Sequence, residues 1–325
     1  MRTFTYKVPS SIREATSDFG QNSEFAAGGT TLIDLMKLEV MTPSQLVDIN
    51  RLPMRGIELA SDGLRIGALE KMSDVAEHPE VAANYPVISQ ALLKSASPQL
   101  RNMASMGGNL LQRTRCGYFR DVSTPCNKRQ PGSGCPAIDG WNRAHALLGT
   151  SSACVATHPS DLAVALVALD ASILLQSENN NRLMKLDDFY QVPGETPDKE
   201  NQLRPGELIT EIRVPRLLWA RRSAYLKIRD RESYEFALAS VAVALDVDAN
   251  NVRDARIAVG GVGTKPWNLP KVRDALIGRP SNQQTFEAAA KLAANGAKPL
   301  RHNAFKVELV QRTIVRALMN LGGLA

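Results

Sequence analysis

No run of this 325-residue chain stays apolar for the ~18–20 residues that a membrane-spanning helix needs. The longest candidate, residues 162–175, is interrupted by Asp170, so no membrane span is expected. The opening residues, MRTFTYKVPS, lack the apolar stretch of a secretory leader. The expectation is a chain without an export signal, cytoplasmic, or periplasmic if a signal-bearing partner carries it out. No G-x-G-x-x-G is present, which leaves a Rossmann dinucleotide site unsupported. There is no internal repeat and no low-complexity tract. Lys and Arg exceed Asp and Glu, 39 to 33, but they are spread along the chain. No nucleic-acid partner is expected from that distribution; a basic surface or a face for an acidic partner is. The composition, 44% apolar and 22% charged, is that of a globular chain with a real core and room for two or more domains.

Cysteine is scarce too, yet its placement carries information. The four residues Cys116, Cys126, Cys135 and Cys154 are all the chain has, separated by nine, eight and eighteen residues. Pro125, Pro131, Gly132, Gly134 and Pro136 lie among them and break helices and strands, so a folded loop is expected. Ordering such a loop costs roughly 1–2 kcal/mol per residue, and four thiolates on a metal centre would offset that cost. A structural zinc site usually shows close C-x2–4-C pairs, which are absent. Disulfides want an oxidising compartment. An iron–sulfur cluster takes four Cys at long spacing. Spacing favours the cluster and leaves zinc and disulfides open.

Elsewhere the chain alternates short strands and helices. Strands are expected near Phe4–Tyr6, 46–49, 64–66, 172–175 and 208–214, and helices over 11–19, from Ser73, over 86–94, from Ser160 or Asp161, and over 286–294 and 305–321. Two glycine turns stand out. Ala27-Gly28-Gly29-Thr30-Thr31-Leu32 ends a strand and opens a helix at Thr30 or Thr31; Ser105-Met106-Gly107-Gly108-Asn109 is the second. Backbone amides in such turns can cradle a pyrophosphate, although a single Gly-Gly pair is more commonly only a tight turn.

Taken together, AGGTTLIDLMK, SMGGNLLQ, THPSD at 157–161, PGELITEIRVP at 205–215, YLKIRDRESYEFALASVAVAL at 225–245 and IAVGGVGTKPW at 257–267 resemble the FAD-binding subunit of the molybdenum hydroxylases, over essentially the whole chain. The cysteine-bearing insertion after GGN is similar to that of flavin subunits with an additional [4Fe–4S] cluster, those of aldehyde oxidoreductases foremost. The resemblance implies an α+β chain: a vanillyl-alcohol-oxidase-type FAD module of two α/β subdomains (1–54 and 55–218, with the cluster loop at about 113–156), then an α+β C-terminal domain (219–325). It implies that Ala27, Gly28, Gly29, Thr30, Thr31 and Leu32 hold the FAD pyrophosphate. Ser105, Gly108 and Asn109 form a second wall, Asp161 bonds the ribose or phosphate side, Ile209 lies near the isoalloxazine and Lys227 approaches the flavin. For Asp161 a helix N-cap role, and for Lys227 an exposed strand lysine, are the plain alternatives. Cys116, Cys126, Cys135 and Cys154 would ligate the cluster. His158, beside the acidic motif, stays outside the ligand set. Implied partners are a large molybdopterin-binding subunit, a small [2Fe–2S] subunit and an external electron acceptor. A stand-alone flavin oxidase and a zinc-stapled binding protein are the rival readings.

Overall fold

The computed structural model describes residues 1–323, and among these three sheets follow one another along the chain. β1 (Thr5–Lys7), β2 (Ser23–Ala26) and β3 (Gln45–Asp48) form a parallel sheet in the order β1-β3-β2. Parallel neighbours need crossovers, which here run through helices Ile12–Ser17 and Leu32–Lys37. Ser11 caps the first helix by accepting from the Glu14 amide at 3.1 Å. The second sheet holds β4 (Ile57–Ala60), β5 (Gly63–Gly67), β6 (Ser172–Gln176), β7 (Asn181–Lys185) and β8 (Leu208–Pro215). Its order is β4-β5-β8-β6-β7, antiparallel at every pairing. The third is an antiparallel meander of β9 (Ser223–Ile228), β10 (Ala239–Asp248), β11 (Asn251–Gly260) and β12 (Trp267–Asn268). Helices Pro270–Leu276, Gln283–Ala290 and Phe305–Gly322 close its apolar face around Val241, Val243, Ile257 and Ile314.

Helix Asp161–Ala168 lies at the centre. Its sequence, DLAVALVA, is apolar all round after the first residue, and every residue is buried, as such a helix must be. It packs against helix Pro86–Leu93 and against β10 and β11, so it joins the second and third sheets into one body. Ser160 starts it, accepting from the Ala163 amide at 3.0 Å.

Between this helix and the second glycine turn, the cysteine segment has one regular element, the single turn Gly117–Arg120. Side chains from afar hold it. Asn303 Nδ2 donates to the carbonyls of His145 and Ala146, both at 3.2 Å, and the His302 amide donates to Asn142 Oδ1 at 2.9 Å. Lys306, fully buried, donates to His145 O at 3.0 Å and Gly261 O at 2.6 Å. Burial, with Arg143 second, lowers the Lys306 pKa from 10.5 to about 7. Between those values the unfolded chain binds the extra proton, so this lysine makes stability rise with pH across the window, by up to ~1.4 kcal/mol per unit, and leaves it flat below. Urea unfolding midpoints at pH 7.5 and 9 are expected to show that rise, and Lys306→Met to flatten it, whatever it does to the absolute stability.

Candidate functional site

The first glycine turn leaves β2 and enters helix Leu32–Lys37, with Thr31 at the cap position and no side-chain cap bond. Gly29 takes φ +71°, the left-handed region that glycine reaches without strain. Among the described residues, the amides of 28–32 have no acceptor within the chain. Five consecutive free donors at the mouth of a cleft suit an anionic group. The second turn differs from the first. Its amides from 106 to 109 are spent inside the chain: Met106 to Glu70 O, Gly107 to Ala68 O, Asn109 to Ser105 O, and Gly108 to Ser105 Oγ at 3.2 Å. It contributes a wall rather than donors. The two turns touch, since a Cβ on Gly28 would collide with the Met103 carbonyl and the Ala104 backbone.

A cleft opens along both turns, lined by Ala27, Gly28, Gly29, Thr30, Thr31, Leu32, Ser105 and Gly108, with Arg113, Lys199, Glu200 and Arg204 also on its walls. Asn109, Asp161, Ile209 and Lys227 do not line it. Asn109 is buried behind the second turn, donating to Met72 Sδ and accepting from Ser160 Oγ at 2.6 Å. Ile209 lies in the core of the second sheet opposite Leu175. Lys227 is no exposed strand lysine: it is buried on β9 and pairs with Asp161 at 2.7 Å. Tyr225 Oη and Ser95 Oγ also donate to the Asp161 carboxylate, at 2.6 and 3.1 Å. Burial, then the Asp161 charge, raises the Tyr225 phenol well above its usual value. The far side of Asp161 faces a second cleft, beside His158, Arg143 and Phe236. Asp161→Asn strands the buried Lys227 ammonium and is expected to cost about 3–5 kcal/mol. Chemical unfolding checks this, and adding Lys227→Met should return part of the loss.

All four cysteines line one small pocket, with Phe119, Lys128, Ala137 and His145. None is in a disulfide. Among the described residues, no three His, Cys, Asp or Glu groups converge closely enough for a single metal ion. The Ala156 amide donates to Cys154 Sγ at 3.5 Å, a donor that suits an anionic thiolate. Without a metal, burial pushes up the thiols of Cys116, to about 11, and of Cys135 and Cys154. Burial, with Lys306 second, lowers His145 to about 4, and burial lowers His158 likewise to about 4, stacked edge-on against Tyr190.

Cage and cleft are linked. A narrow pocket between them shares Lys128, Cys154 and Ala156 with the cage and Leu111, Gln191, Lys199 and Glu200 with the cleft. Glu200 accepts from Lys128 at 2.8 Å and Arg113 at 2.7 Å. Burial pushes its carboxyl up, but the two cations outweigh that and the net shift is downward. Arg115 and Arg120 reach Asp34 in the helix after the first turn, at 3.1 and 2.8 Å. Neither Glu200 nor Asp34 was predicted from the sequence. Each is an ordinary charged residue whose arginine partners lie 81 to 87 positions away, and local pattern carries no trace of that.

An FAD-binding oxidoreductase module is the class this arrangement defines. The chain belongs to the FAD-binding subunits of the molybdenum hydroxylase family: residues 2–217 match the FAD-binding domain in molybdopterin dehydrogenase, and 224–321 match the CO dehydrogenase flavoprotein C-terminal domain. It is 46% identical over 322 residues to the aldehyde oxidoreductase FAD-binding subunit PaoB of Escherichia coli K12, covering 98% of each chain. It is 28% identical to the carbon monoxide dehydrogenase medium chain of Hydrogenophaga pseudoflava, covering 97% of this chain and 96% of that one. A solved structure of that organism's carbon monoxide dehydrogenase superposes with a TM-score of 0.76 at 25% identity, over 99% of this chain and 98% of the other. Among the described residues, no helix is long and apolar enough to cross a membrane.

Proposed function

We propose that this chain is the FAD and [4Fe–4S] electron-transfer subunit of a molybdenum-dependent aldehyde oxidoreductase. In this reading the chain receives electrons from [2Fe–2S] clusters on a small partner subunit and delivers them to an external acceptor. Substrate is oxidised at the molybdenum cofactor of a large molybdopterin-binding subunit. The aldehyde class rests on the 46% relative, whose name carries it. FAD, when bound, supplies two-electron uptake with one-electron exchange, and a cluster supplies one-electron relay.

The observation that carries the reading is a cleft with five free amides and a four-cysteine cage, joined through the pocket around Lys128 and Glu200. Gly28 to Leu32 would bind the diphosphate through their amides, while Ala27, Ser105 and Gly108 complete the walls. Asp161, held by Lys227 and Tyr225, presents a fixed carboxylate to the second cleft, and Asn109 holds Ser160 beside it. Ile209 sits in the core of the second sheet. Cys116, Cys126, Cys135 and Cys154 would ligate the cluster, and Lys128 would bind the loop to the cleft wall. We divide the chain at 54 and 218, between the first and second sheets and between the second and third.

Co-expression with candidate large and small subunits tests the assignment. The three chains are expected to co-purify in equal amounts and to oxidise an aldehyde only together. Oxidation by this chain alone would favour the stand-alone oxidase.

A further inference from the structure

The cysteine cage and the second cleft share a wall formed by Cys116, Tyr118 and His145. His145 Nε2 lies 3.2 Å from Cys116 Sγ. Among the described hydrogen bonds, this is the one a side chain makes to any of the four sulfurs; the other is from the Ala156 amide to Cys154.

The imidazole is held in place. The His145 amide donates to Asn142 O at 3.0 Å, and its carbonyl accepts from Asn303 and Lys306. Both backbone groups are thus engaged, the residue is buried, and the ring has little freedom to turn away from Cys116. A neutral imidazole carries a single N–H. An iron-bound thiolate has lone pairs and no proton, so in the loaded protein that hydrogen must be on Nε2. Nδ1 is then the bare acceptor, and it is buried without a partner. The ring forgoes one hydrogen bond while keeping the one to sulfur.

We propose that His145 is a positioning residue for the metal centre, donating Nε2–H to the Cys116 sulfur so that the ligand is fixed and the centre is easier to reduce. The inference rests on the cluster reading given above. Hydrogen bonds to ligand sulfurs are among the factors that set cluster potential, because they delocalise negative charge that reduction increases. Cys116 thereby differs from the other three ligands, and the difference falls on the wall facing the second cleft, where Arg143 and Asp230 pair at 2.7 Å.

The test is a redox titration of the anaerobically purified complex, following the cluster by EPR, with iron and FAD quantified on the same samples. His145→Leu is expected to keep its iron and FAD and to shift the cluster about tenfold toward the oxidised form, ~59 mV more negative for one electron. His145→Gln, which can still offer an N–H, should remain near wild type, and the flavin potential should not move in either. Loss of iron in the Leu variant alone also supports the bond, as a ligand-holding contact. An unchanged or raised cluster potential in an iron-replete Leu variant overturns the proposal, as does loss of iron in both variants, which would mark His145 as a folding residue. Wild-type protein without cluster iron overturns the reading beneath it, a failure separate from an unshifted potential.

Discussion

Gly28→Ala is expected to yield protein that has lost most of its FAD. The added methyl would meet the Met103 carbonyl and the Ala104 backbone, neither of which is a flexible side-chain end that could swing aside. The two turns must part, and the row of free amides from Gly28 to Leu32 loses its alignment with the wall formed by Ser105 and Gly108. Overpacking of this kind costs about 1–3 kcal/mol, so a fall in FAD affinity of roughly tenfold or more is expected. The FAD-to-protein ratio after gel filtration measures it. Gly117→Ala is the matched control: nothing lies within 4 Å of a Cβ there, and its FAD content should not change.

Cys126→Ser should remove the cluster and spare part of the flavin. A serine hydroxyl is a poor substitute for thiolate, and only three of the four proposed ligands would remain. The glycine-turn cleft contains none of the cysteines, so FAD stays bound. The effect on it travels through Lys128 and Arg113 to Glu200, which loosen as the loop loses its centre. With only Gly117–Arg120 as regular structure, the loop should become sensitive to trypsin at Lys128 and Arg129. Iron analysis, visible absorbance and limited digestion of one preparation check all three. Iron content equal to wild type would remove Cys126 from the ligand set.

Much of this architecture was legible locally. Ser11 and Ser160 announce their helices because a hydroxyl before an apolar run satisfies an otherwise free amide. The periodicity of 305–321 matches helix Phe305–Gly322. The expected helix over 286–294 instead starts at Gln283, capped by Asn282, and tightens into a 3-10 turn at Lys291–Ala294, since Asn282 supplies an acceptor that an apolar period does not reveal. The strands β4 and β7 were not anticipated; both are edge strands with exposed residues, where alternation is faint. The turns and cysteines were visible as a site, but which amides remain free was not. The second turn looks as generous as the first until its partners, Ala68 and Glu70, fold against it. Lys227 likewise reads as a surface residue on β9, and only the packing of helix Asp161–Ala168 onto the third sheet buries it against Asp161. His145 carries no motif; its role depends on a segment some 160 residues further on.

The proposed function requires a flavin and an iron–sulfur centre in one chain. Quantifying FAD, iron, acid-labile sulfide and zinc in a single anaerobic preparation tests it most directly. The predicted result is one FAD and one four-iron, four-sulfide centre per chain, with zinc absent. Stoichiometric zinc in place of iron, or a chain that carries neither flavin nor iron, would contradict it.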